Sequence, residues 1–173
     1  ISKIVYVRGF DVGLFETEYL NMMSTKISEM AKELGKELIQ VETNLHLFGD
    51  KFADWSFQYH GTALASVALL LSNKISKIYI PSSYQRKDVF PWGTHPELDN
   101  LWSNEHIEII HDDCSPSRTD KIKYIIDNPV ALKYLRVCTD RTKGLYNCCE
   151  CEKCLRTIIS LYAFGAFDKC RTF

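Results

Sequence analysis

The chain has 173 residues, 46% hydrophobic and 12% aromatic, enough apolar material for a packed core in one domain. Its formal charge of -1 supplies no global attraction to nucleic acid or to an anionic membrane. The longest apolar run, Ala63 to Leu71, is too short to span a bilayer. No secretory leader is visible, and the seven cysteines are clustered rather than spread as a disulfide framework. A reducing, cytoplasmic setting is expected.

Lys3 to Arg8 (KIVYVR) is β-branched and aromatic and stops at Gly9, which reads as a strand and a turn. The chain opens at Ile1 without an initiator Met, directly ahead of this strand, and so reads as a fragment or a processed product. From Glu16 to Leu34 the apolar residues Tyr19, Met23, Ile27, Met30, Ala31 and Leu34 recur at helical spacing, with Gly35 as the C-terminal cap. Glu37 to Thr43 reads as a second strand. A polar and aromatic connection through Trp55 leads to an apolar helix opening near His60 and Gly61. Lys77 to Ile80 is a third strand, stopped by Pro81, and Ile107 to His111 a fourth.

Residues 82–104 between those strands form a long loop, and a loop of that length inside a compact domain is commonly functional or disordered. A helix follows over SRTDKIKYIID, with Thr119 as the expected N-cap and Ile122, Ile125 and Ile126 on its buried face. A short helix near Val130 to Leu135 and a final helix over Glu152 to Phe164 complete the chain.

Strands alternating with helices predict an α/β fold, a doubly wound parallel sheet covered on both faces. In such sheets ligands lie beyond the carboxyl ends of the strands, which selects the loops after Ile80 and Ile110. His95, Asp99, His111, Asp112 and Asp113 fall there. They can bind Mg²⁺ or act as acid and base, or simply cap loops and helices. Trp92 and Trp102 can stack on a base or anchor the loop to the core.

Five of the seven cysteines lie between Arg136 and Thr157, spaced Cys138-x9-Cys148-x2-Cys151-x2-Cys154, with Cys149 as an extra. A C-x2-C turn folds both sulfurs toward one point, as a tetrahedral cation requires, and overlapping turns supply a third thiolate. Asn147, Glu150, Glu152 and Lys153 surround them, which is not core composition. A ferredoxin-type cluster needs a different run ending in Pro, and a thioredoxin-like redox pair needs a single C-x2-C. Zinc held by Cys138, Cys148, Cys151 and Cys154 is therefore expected ahead of an iron–sulfur cluster. Four thiolates close the coordination sphere, so the metal is expected to be structural.

The order of these features resembles the PP-loop ATP pyrophosphatases (adenine nucleotide alpha hydrolase-like) and, within them, the relatives of 7-cyano-7-deazaguanine synthase. The match is strongest over Lys121, Cys138, the NCxxCxxC run, Arg156 and Gly165, and HGTALASVALLLSNKISKIYIPSS is similar to the family's adenosine-side element. The resemblance implies a Rossmann-like sheet of PP-loop/HUP type over residues 1–135 and a helical, four-cysteine zinc segment over 136–173. It also implies ATP and Mg²⁺ as cofactors and adenylation of a carboxylate or carbonyl oxygen with release of pyrophosphate. His60, Gly61 and Thr62 would lie near adenine or ribose. Ser82, Ser83, His95 and Asp99 would lie near a small-molecule substrate, and Asp112 and Asp113 join that substrate group by their position beyond the end of the fourth strand.

Arg118 and Lys121, at a helix start after a strand, suit phosphate neutralisation and equally suit a solvated helix start. Three departures stand out. The phosphate loop SGGxDS occurs nowhere in the chain, Cys149 replaces the Gly that follows the second zinc cysteine, and the 82–104 loop does not match the deazaguanine enzymes. The expected first strand and loop are thus missing, and two outcomes besides a fragment follow. Either the strands at 3–8 and 77–80 pair directly, or a homodimer lends a strand. The rival readings are a non-catalytic zinc-bearing interaction domain and an iron–sulfur or redox protein.

Overall fold

A computed structural model describes residues 1–140 and 143–173. Among these residues four strands and six helices follow in the order β1 (Lys3–Arg8), α1 (Thr17–Glu33), β2 (Glu37–Glu42), α2 (Leu45–Gly49), α3 (His60–Leu70), β3 (Lys77–Ile80), β4 (Glu108–His111), α4 (Arg118–Ile125), α5 (Pro129–Lys133) and α6 (Glu152–Ala163). The architecture is mixed α/β with two small sheets, β1 beside β2 and β3 beside β4. Among the described residues β1 and β3 share no ladder. No described helix is long and apolar enough to cross a membrane.

The chain divides into two compact units, one of residues 1–40 and 118–173, the other of residues 41–117. In the first, β1 and β2 begin side by side, with Glu37 N–H donating to Ser2 O at 3.2 Å and Lys3 paired with Glu37. α1 is the crossover between them. It ends in a Schellman motif, in which Gly35 (φ 62°) donates to Lys32 O and Lys36 donates to Ala31 O, as the Gly35 cap predicts. Leu20 and Met23 of α1 pack with Val12 and Tyr6. α5 opens on Asn128, whose side chain accepts from Ala131 N–H at 3.0 Å, with Pro129 at the first helical position.

Ile122 of α4 and Ile126, just past its end, pack half-buried with Leu132 and Leu161, while Ile125 lies outside that cluster, so the buried face expected of α4 forms only in part. The helix starts at Arg118, which places Thr119 inside its first turn rather than at the cap. Thr119 is exposed, and the cap falls before Arg118, within the ordinary slippage of a helix boundary.

In the second unit β3 and β4 are parallel, in register from Lys77 opposite Glu108 to Ile80 opposite His111. Ala65 and Ala68 of α3 pack on Ile80, Ile107 and Ile109, small residues that let the helix approach the sheet. The connection expected to be plain loop before α3 contains α2 and a π-helical turn, Trp55–Tyr59, and the 82–104 segment contains 3₁₀ turns at Arg86–Asp88 and Asp99–Trp102.

Candidate metal centre and the carboxyl edge of the second sheet

Cys138 leaves α5 by a short extended stretch, Cys148 and Cys151 sit on the knuckle, and Cys154 lies in the first turn of α6. Their four sulfurs all lie within 4.8 Å of one another. Cys138 Sγ is 3.8 Å from Cys151 Sγ, and Cys148 Sγ is 4.0 Å from Cys154 Sγ. A zinc ion at 2.3 Å from four tetrahedral thiolates requires sulfurs about 3.8 Å apart. No disulfide links any of the cysteines. The donor set and its dimensions thus fit a metal ion such as zinc, which would staple α6 to the segment after α5.

The polypeptide by itself favours the thiolate at Cys148 and disfavours it at Cys138 and Cys154. Cys148 is pushed down to about 7 because the N–H groups of Glu150 and Cys151 point at its sulfur. Burial pushes Cys154 up to about 12 and raises Cys138. A bound cation would supply the charge that those two buried sulfurs need to ionise.

Cys149 lies outside the cluster. Its φ of 63° is left-handed, the conformation that a glycine would take without strain and a cysteine adopts at a cost. Cys170 is also apart, with its thiol 3.3 Å from Leu132 O in the core of α5 and α6.

Asn147 is the residue that sequence reasoning misplaced, since it is polar yet only 4% exposed. Its Oδ1 accepts from Val137 N–H at 3.0 Å and Cys138 N–H at 3.2 Å, and its Nδ2 donates to Leu135 O at 2.9 Å and Thr172 O at 3.1 Å. One side chain thereby ties together the segment of the first ligand, the knuckle and the C-terminal residues. Its position directly before a knuckle cysteine was the only available signal.

The remaining predicted residues fall into two groups. Arg118 and Lys121 lie on the first turns of α4, in the first unit. The others belong to the second unit, at the carboxyl ends of β3 and β4 and the start of α3. His60 Nδ1–H donates to Trp55 O at 3.0 Å and its Nε2 accepts from Thr94 Oγ at 3.2 Å, so both ring nitrogens are engaged, and burial lowers its pKa. Gly61 donates to Gly93 O at 2.9 Å, and a Cβ on Gly61 would lie 2.0 Å from that oxygen. That contact fixes the loop carrying Trp92 and Thr94 to the helix start, while Thr62 is exposed.

Trp92 packs edge-on against Phe57, His60, Tyr84 and Phe90. Trp102 closes the second 3₁₀ turn, 42% exposed. Ser82 is buried and donates to Asp113 O, and Ser83 follows it half-buried. Asp112 N–H extends the sheet to Ile80 O at 2.7 Å, and Asp113 accepts from Ser115 N–H. His95 N–H donates to Asp99 Oδ1 at 3.1 Å, and Asp99 Oδ2 meets His111 Nδ1 at 2.7 Å. Among the described residues the four cysteines are the one group of three or more metal-ligating side chains close enough to share an ion.

Comparison with protein-family models, with curated proteins and with solved structures returns no match to this chain.

Proposed function

We propose that these residues belong to an ATP-dependent adenylating enzyme of the PP-loop class, in which zinc is a structural staple and the carboxyl edge of β3 and β4 receives a small-molecule acceptor. The observation that carries this reading is the strand pairing. In a doubly wound order a strand preceding β1 lies between β1 and β3, so that β1 has β2 as its other neighbour and β3 has β4. Those are the two pairings present.

The gathering of Ser82, Asp99, His111 and Asp112 at strand ends adds support, because ligands of open α/β sheets lie there. In this reading ATP and Mg²⁺ supply leaving-group activation. Arg118 and Lys121, on the opening turns of an eight-residue helix, offset phosphate charge. Reduced, metal-binding thiols suit a cytoplasmic setting.

The test is pyrophosphate release from ATP. SGGxDS is absent from the sequence, so the 173 residues alone are expected to release pyrophosphate at no more than background rate. Joining a βα unit that bears SGGxDS ahead of Ile1 is expected to raise ATP affinity and, with an acceptor, turnover. A gain of neither favours the rival, a zinc-bearing interaction domain, for which the missing loop is the specific observation.

A further inference from the structure

We infer that His111, held by Asp99, is the proton acceptor of the second unit, and that its Nε2 takes a proton from a hydroxyl or amine of a small ligand. The inference stands on geometry in that unit alone and goes beyond the ATP reading. The Asp99 side chain is 1% exposed and that of His111 is 4% exposed.

Two contacts fix the carboxylate, since Oδ1 accepts from His95 N–H at 3.1 Å and Oδ2 lies 2.7 Å from His111 Nδ1. Asn100, next to Asp99 in the same 3₁₀ turn, accepts from His111 N–H at 2.9 Å, so the backbone of the histidine is fixed as well. A carboxylate only accepts, so Nδ1 carries the proton and, in the neutral ring, Nε2 carries the lone pair. No described residue bonds to Nε2.

The comparison with the other histidines is informative. Both ring nitrogens of His60 are consumed inside the protein, and His95 Nδ1 accepts from Glu97 N–H. His46 and His106 sit at more exposed sites, facing Asp50 and Glu105. A buried carboxylate behind one ring nitrogen, with the other unengaged, occurs at His111 alone among them. It occurs at the carboxyl end of β4, where a ligand of this sheet would sit.

In the step itself the proton leaves the ligand O–H or N–H for Nε2, and the ligand keeps the electron pair as a nucleophile. The imidazolium that results is stabilised by the Asp99 carboxylate.

The experiment is labelling of the whole 173-residue chain with diethyl pyrocarbonate, followed histidine by histidine by peptide mass spectrometry. His111, with its side chain 4% exposed, is expected to react more slowly than exposed His106 but clearly faster than His60, whose two ring nitrogens are both engaged. Asp99→Asn is expected to slow His111 by at least about tenfold through loss of the required tautomer, with circular dichroism reporting that the variant is folded. A His111 that labels as slowly as His60 in the unmutated chain overturns the inference, whatever the fate of the variant. So does a folded Asp99→Asn protein in which the His111 rate is unchanged.

Discussion

Replacing Asn147 by Asp changes one atom and tests the metal-loop clamp directly. The Oδ1 that accepts from Val137 and Cys138 is retained. The Nδ2 that donates to Leu135 O at 2.9 Å and Thr172 O at 3.1 Å becomes an oxygen facing two oxygens. Each lost hydrogen bond costs about 1 kcal/mol. The carboxylate is also confined where the side chain is 4% exposed, which adds a desolvation cost of several kcal/mol. Charge-assisted bonds from the two retained N–H groups offset part of that cost. The net expectation is a loss of about 3–4 kcal/mol, and zinc leaves faster because the new negative charge repels the thiolates and the segment bearing Cys138 is loosened. Urea unfolding reads the first effect, and transfer of metal to a colorimetric chelator reads the second. An Asn147→Asp protein within about 0.5 kcal/mol of the parent, the scale of a neutral surface change, with unchanged metal transfer would refute the clamp.

Other expectations follow from the same contacts. Cys138→Ser is expected to lower metal content and stability together, since metal binding is folding free energy here, whereas Cys170→Ser leaves metal content unchanged; elemental analysis and thermal melts check both. Cys149→Gly should be neutral to slightly stabilising, because relief of a left-handed φ worth roughly 1–2 kcal/mol outweighs the roughly 0.5–1 kcal/mol entropic cost of glycine. Gly61→Ala should destabilise by at least about 2 kcal/mol, because its Cβ meets the backbone oxygen of Gly93 rather than a side chain that can move.

Burial lowers the pKa of His60 below its unfolded value, so the folded state favours the neutral ring. That contribution to stability is full above the unfolded pKa of about 6.5 and is lost as pH falls through the folded pKa. His60→Gln should accordingly lose less stability than the parent between neutral and mildly acidic pH in matched urea titrations.

The elements were legible where a local pattern specifies them. The six apolar positions of α1, the Gly35 cap and the runs of β1 and β3 match strand and helix within a residue or two. The four metal ligands were legible because C-x2-C spacing carries its own geometry. Thr119 was assigned the cap of α4 by propensity, which does not discriminate between neighbours in the Ser117–Thr119 stretch. The π-helical turn at Trp55–Tyr59 carries no periodic signature. It is held by contacts distant in sequence, among them Ser56 O to Gly93 N–H.

Asp99 and His111 were each singled out, but their pairing across the 3₁₀ turn and β4 is a tertiary fact that no spacing rule encodes. The burial of Asn147 was hidden for the opposite reason, since a polar residue among charged neighbours reads as surface unless its four partners are known.

The central claim is the metal centre. Its most direct measurement is X-ray absorption on purified protein, joined to elemental analysis. The account predicts about one zinc per chain with four sulfur neighbours at about 2.3 Å and no nitrogen or oxygen in the first shell. Iron, a mixed sulfur and oxygen shell, or a folded protein without metal would contradict it.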